Sequence, residues 1–327
     1  MPFYIGYLRS RLYFNIFTGK IKTVSSEVVI SARNLTKFYG KARGIEDISF
    51  DAQKGEIFGF LGPNGAGKTT TIRILLDLLR PSSGEIEIFG QSVQKYSYDI
   101  RKQIGYLPVE FSAYANLSGF DFFGLIAKIR KVPLPENHEL FRRFELSAGD
   151  LSKKIKALSH GTLQKIGIIQ ALFHQPRLLI LDEPTTGLDP LMKEVFYDIL
   201  REKHESGTTI FFSSHNLDEV EKLCSRVAII RNGRIAGLER LENMRSKAGQ
   251  IVEFTLKENA EIDDFTEGEL LSKLDSHYIF RVQGDITQVL KKLAEMQVSN
   301  VSISKPDLES LFMEFYQDQS ERGDVIS

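Results

Sequence analysis

Gly55-Glu-Ile-Phe-Gly-Phe-Leu-Gly62-Pro63-Asn64-Gly65-Ala66-Gly67-Lys68-Thr69-Thr70 is the stretch whose reading decides the fold. Its first half, Glu56 to Leu61, is a short apolar run bounded by glycine, the pattern of a buried strand. Its second half fits G-x-x-x-x-G-K-[ST], a loop that holds phosphates. Glycines at 62, 65 and 67 open backbone turns closed to residues with a β-carbon, so successive N–H groups can converge on an anion. Lys68 adds a positive charge that reaches the outer phosphates, and the Thr69 hydroxyl can ligate Mg²⁺. A helix is expected from Lys68, with Ile72, Leu75, Leu76 and Leu79 on one face and Pro81 beyond its end. Its positive dipole end would face the phosphates. The plainer alternative is a glycine-rich turn before an ordinary helix, and strand, loop, Lys-Thr and helix in this order argue against it.

A chain of 327 residues and 37.1 kDa has room for one large α/β domain and a small second one. The net charge of −1 gives no electrostatic reason to expect nucleic acid, and none is expected as a partner. Cys224 is the single cysteine, so an intrachain disulfide is excluded and a reducing compartment is expected. No apolar run approaches the ~20 residues that a membrane-spanning helix needs. Work at a membrane would require another chain to cross it.

Residues 1–26 stand apart as a basic, aromatic extension. Arg9, Arg11, Lys20 and Lys22 have no acidic counterpart before Glu27. A membrane-surface segment is one reading of that composition; a partly ordered extension is the simpler one. The main domain, 27–244, begins with short strands expected at Val28–Ile30 and Asp47–Phe50, flanking Lys37-Phe38-Tyr39-Gly40. An aromatic at a turn upstream of a phosphate loop can stack on a purine ring, and Tyr39 is equally compatible with packing. Strands are also expected at Glu85–Phe89 and Arg101–Leu107. A helical insertion follows at about 111–157, led by the apolar helix Phe120–Ile129.

Leu158-Ser159-His160-Gly161 opens a further helix, and Ser159 as its N-cap makes a second potential anion site. Leu178–Leu181 followed by Asp182 and Glu183 reads as a buried central strand emerging at a ligand edge. Beside a phosphate loop, Asp182 would hold Mg²⁺ and Glu183 would accept a proton from the attacking water. Thr209–Ser214 is another buried strand, with His215 just past its end. Asn232-Gly233 marks a hairpin turn between Val227–Ile230 and Arg234–Leu238. From residue 245 the pattern changes to a small α+β domain (245–318) and a polar tail (319–327), with a last helix expected from Pro306.

Tyr39, Gly62–Thr70, Leu158-Ser159-x-Gly161, Leu178–Pro184, Gly187-Leu188-Asp189 and His215 fall in the order and spacing of ABC-type ATPases. The chain resembles above all the ATP-binding subunits of ABC exporters whose membrane part is a separate protein. The resemblance implies a P-loop NTPase fold of the ABC type with its helical insertion, and ATP with Mg²⁺ at the site. It implies that Tyr39 stacks on adenine, that Lys68 contacts the outer phosphates, and that Thr69 and Asp182 lie on Mg²⁺. Glu183 would be the general base, and His215 would contact the γ-phosphate. Ser159, Gly161 and Asp189 would serve ATP bound to a second ATP-binding subunit, in a homo- or heterodimer at the cytoplasmic face of the membrane. The insertion would meet the membrane-spanning subunit. Two positions depart from the family pattern. Val109 replaces a usual Gln that ligates Mg²⁺, with Glu110 next to it as the expected substitute, and His160 replaces a usual glycine. A soluble ABC ATPase, or an assembly protein that binds ATP with little turnover, is the alternative function.

Overall fold

A hairpin of two long strands precedes the phosphate loop. In the computed structural model, which describes residues 27–133, 139–257, 268–296 and 298–304, β1 (Val28–Tyr39) and β2 (Ala42–Gln53) pair antiparallel around Gly40 and Lys41. The short strands expected here are parts of these two. Register shifts along the pair, with Asn34 at φ 49° and Asp47 at φ 54°, break the alternation that would have shown their length. The extension 1–26, the helix expected from Pro306 and the polar tail lie outside the described residues.

β3 (Ile57–Leu61), buried throughout, runs through the glycine loop into α1 (Lys68–Leu75). This helix stops before Leu79 because Asp77, at φ 55°, turns the chain, and the N–H groups of Leu78 and Leu79 close onto the Arg73 carbonyl. β4 (Ser83–Ile88) and β5 (Gln91–Ser92) extend the first hairpin into an antiparallel sheet of order β2-β1-β4-β5. α2 (Val93–Lys102) takes Arg101 and Lys102, so the strand expected at 101–107 is reduced to β6 (Ile104–Leu107).

The insertion carries α3 (Gly119–Arg130), α4 (Glu139–Arg143) and α5 (Ala148–Ser152). Ser118 with Asp121, and Ser147 with Asp150, form reciprocal capping boxes that set where α3 and α5 begin. Its two ends are tied together by Ile155 N–H to Leu117 O at 2.9 Å and Lys156 N–H to Ala115 O at 3.1 Å. Phe122, Phe123, Phe141 and Phe144 bury its apolar side in the main core.

α6 (His160–Leu172), β7 (Leu178–Asp182), α7 (Pro190–Glu205), β8 (Thr209–Ser214), α8 (Leu217–Leu223), β9 (Arg226–Arg231), β10 (Arg234–Arg240) and α9 (Leu241–Ala248) complete this part. Asn232 at φ 49° and Gly233 at φ 76° make the two-residue turn from β9 to β10. The main sheet has the order β10-β9-β3-β8-β7-β6, parallel except for β10. Side chains alternate across it as pleating demands. Phe58, Phe60 and Phe211 face Phe50 of the antiparallel sheet, with ring centroids 5.3–5.7 Å from it. Leu61, Leu107, Leu181 and Phe212 face the helices on the other side.

β11 (Gln250–Leu256), β12 (Glu269–Leu274), β13 (His277–Val282), α10 (Thr287–Glu295) and β14 (Val298–Ser304) form a third unit. Its sheet, of order β12-β13-β11-β14, has a core of its own made by Val252, Phe254, Tyr278, Phe280, Val289 and Leu293. No sequence signal marked β12, whose residues are all exposed and therefore do not alternate.

Candidate nucleotide site

Parallel strands end on one side of the main sheet, and four of them deliver the candidate residues there. β3 leads to Gly62, β6 to Val109, β7 to Asp182 and Glu183, and β8 to His215. Such a carboxyl edge is where open α/β sheets hold ligands. A cavity of about 380 Å³ lies at this edge, walled by Tyr39, the loop from Asn64 to Thr70, Val109 and Glu183.

Two glycines of the loop are fixed by close approach. A β-carbon on Gly62 would stand 2.2 Å from the Ile230 carbonyl oxygen, and Gly67, at φ 112°, would drive one into Ile45 at 2.6 Å. Ala66 is buried beside them, and its carbonyl accepts from Gly233 N–H at 2.9 Å. The loop is therefore moulded against the β9–β10 turn and the first hairpin. The first N–H groups of α1 have no partner within the helix and open towards the cavity.

Lys68 is nearly buried. Its ammonium donates to Gly62 O at 2.6 Å and Pro63 O at 3.1 Å, and stands 3.0 Å from Glu183 Oε1. That last contact is an ion pair off the hydrogen-bonding direction, since Oε1 gains no directed hydrogen bond from it. The other oxygen, Oε2, lies 2.6 Å from His215 Nδ1. Glu183 adopts φ 51°, a left-handed backbone costly for a residue with a side chain, and such strain gathers at functional positions. Its N–H is held by Ser213.

Thr69 Oγ1 donates to Asp182 Oδ2 at 2.8 Å, and Ser213 Oγ donates to Asp182 Oδ1 at 2.6 Å. Burial raises the Asp182 carboxyl above the ordinary carboxylate range, against the pull of those two hydroxyls. A hydroxyl and a buried carboxylate in contact at a phosphate loop are the hard oxygen donors Mg²⁺ takes. The donor set fits that ion.

Tyr39 is 48% exposed at the cavity rim, its hydroxyl 3.4 Å from Thr70 Oγ1. Val109, not Glu110, stands in the cavity wall. Glu110, in the bend that follows β6, is exposed. The expectation that Glu110 substitutes for the missing Gln has no geometric support here.

Ser159, Gly161 and Asp189 are not brought to this cavity. Ser159 caps α6 by accepting from Thr162 N–H, and Asp189 caps α7 by accepting from Met192 N–H at 3.0 Å. The two segments lie against each other: the His160 ring covers Gly187, where a β-carbon would come within 2.4 Å of it. Sequence reasoning missed Ser213, whose hydroxyl orients Asp182; the only signal was a serine at the end of a buried strand.

The family model described as "ABC transporter" matches residues 45–186. The chain is 32% identical over 313 residues to the linearmycin resistance ATP-binding protein LnrL of Bacillus subtilis, covering 87% of this chain and 97% of that protein. It is 36% identical to the bacitracin transport ATP-binding protein BcrA of Bacillus licheniformis, over 70% of this chain and 76% of the relative. Among solved structures it is similar to an ATP binding subunit of an ABC transporter, with a TM-score of 0.63 and 30% identity over 67% of this chain and 92% of the other.

Proposed function

The chain belongs to the ATP-binding proteins of ABC transporters, and from that premise we propose that it hydrolyses ATP to energise export by a separate membrane-spanning subunit. The observation that carries this reading is the convergence of Lys68, Thr69, Asp182, Glu183 and His215 at one strand edge. Lys68 binds the outer phosphates as a point charge. Thr69 and Asp182 would hold Mg²⁺, which when bound screens the phosphate oxygens and orients them for in-line attack. Glu183 accepts the proton of the attacking water, and His215, bonded to it at 2.6 Å, holds that carboxylate in place and reaches towards the γ-phosphate. Tyr39, exposed at the rim, offers its ring face to adenine.

Ser159, Gly161 and Asp189 lie off the chain's own cavity, which supports a role toward ATP held by a second ATP-binding subunit. Export is supported by relatives named for bacitracin transport and linearmycin resistance. Among the described residues no helix is long and apolar enough to cross a membrane. The pathway is proposed to belong to another chain, with this one at its cytoplasmic face. The insertion presents Tyr114 and Ile129 to solvent, 66% and 64% exposed, and is the surface proposed to meet that chain.

Affinity purification from detergent-solubilised membranes tests the reading. A membrane-spanning protein should co-purify and be lost when Tyr114 and Ile129 are replaced by Asp. Recovery of ribosomal particles in its place would overturn it.

A further inference from the structure

Glu219 is a buried carboxylate behind the cavity, and no role described above uses it. It lies in the first turn of α8, four residues past His215. Its Oε1 accepts from the Thr185 hydroxyl at 2.6 Å and from Lys193 Nζ at 3.2 Å. Its Oε2 accepts from the Ser214 hydroxyl at 2.9 Å, and Ser214 Oγ accepts in turn from Asn216 N–H at 3.0 Å. Tyr197 lies nearby; burial first, and then the charge of Glu219, push its phenol up. Three donors, from the loop after β7, from α7 and from the end of β8, thus meet on one anion.

Both segments adjoin the residues that carry the chemistry. Thr185 is two residues beyond Glu183, and Ser214 immediately precedes His215. The parallel ladder between β7 and β8 runs out at the Asp182–Ser213 pair. Glu183 N–H still reaches Ser213 O at 3.2 Å, and just beyond that contact the Glu219 carboxylate ties Thr185 to Ser214. Stability alone is a weak reason to bury a carboxylate, because well-packed apolar side chains of similar volume are often as stabilising.

We propose that Glu219 is a positioning residue for hydrolysis, clamping the loop after β7 to the end of β8 so that Glu183 and His215 stay in contact. This rests on the ATPase reading above. The nucleotide itself is gripped by α1 and its loop, so the clamp acts on turnover and leaves affinity alone.

The test uses the full chain, measuring kcat and KM for ATP, affinity for a non-hydrolysable ATP analogue, and Tm. Thr185→Val keeps the shape and removes the donor; Thr185→Ser keeps the donor. Thr185→Val should lower kcat about 10-fold or more with KM, analogue affinity and Tm little changed, since small misplacements of a catalytic group can cost up to ~100-fold. Thr185→Ser should restore turnover to within about 2-fold of wild type, and Ser214→Ala combined with Thr185→Val should cost less than the product of the two, because both break one bridge. Wild-type kcat in Thr185→Val, equal loss in Thr185→Ser, or loss that only follows a fall in Tm overturns the proposal. Wild type and Glu183→Gln run alongside: a wild type that binds ATP without turnover overturns the ATPase reading and the clamp together, whereas an active wild type with an active Thr185→Val overturns the clamp alone.

Discussion

Lys68 stands between two backbone carbonyls and the Glu183 carboxylate, so one side chain serves both binding and the catalytic base. Glu183→Gln removes the base and also the anion that competes with phosphates for Lys68. Turnover should fall at least ~100-fold while ATP affinity holds or tightens, as single-turnover assays and equilibrium binding would show. A variant within a few-fold of wild type would remove Glu183 from the mechanism. Val109 offers no lone pair to the cavity it lines, whereas an amide oxygen there can ligate Mg²⁺ and order a water. Val109→Gln is therefore expected to raise kcat several-fold at saturating ATP and Mg²⁺, and Glu110→Ala to change it less than about 2-fold, since Glu110 is outside the wall. The opposite ranking would mean that the loop after β6 rearranges when nucleotide binds.

At the junction of α6 and β6, His174 follows the helix and sets Nε2 3.2 Å from the Ile104 carbonyl, while Nδ1 is buried without a hydrogen-bond partner. Burial, and then the neighbouring Arg130 charge, pull its pKa from 6.5 down to about 4. The unfolded chain takes up this proton near pH 6.5 and the folded chain only near 4. Its contribution is therefore whole above about pH 6.5 and is lost as pH falls towards 4. The loss at pH 5 is about 1 kcal/mol once partial exposure of the ring is allowed for. Melts at pH 7 and pH 5 should show a Tm slope that His174→Gln flattens by about 2–4 °C. An unchanged slope would place the acid sensitivity elsewhere. The same elements show what a sequence discloses. The phosphate loop, the apolar β7 and the Asn232–Gly233 turn were legible because each is a local pattern, and the Thr69–Asp182 pairing followed from the motifs. The first hairpin was not, because its bulges at Asn34 and Asp47 erase the period of two. α7 carried an unread signal, Asp189 as N-cap before Pro190. Glu219 gave none, since Thr185, Lys193 and Ser214 reach it only through the tertiary fold.

Taken as one molecule, the chain has separable cores. α9 inserts Leu241 and Met244 into the main core, and the sheet that follows packs around Phe254, which stacks on Tyr278 and Phe280 at 5.6 and 5.8 Å. A chain ending after Ala248 should keep cooperative unfolding and nucleotide-dependent stabilisation, with Tm within a few degrees of the full chain. Thermal melts with and without an ATP analogue decide this, and loss of the cooperative transition would make the last sheet part of the ATPase core. The mould around the phosphate loop has a consequence on the time axis of synthesis. Gly62 rests on Ile230, and Ala66 O accepts from Gly233 N–H, partners made long after the loop itself. At ~5–20 residues per second, the loop emerges on the order of ten to thirty seconds before the hairpin that shapes it. A growing chain thus carries the complete nucleotide signature without its floor, and nascent chains stalled short of Gly233 should not yet retain ATP.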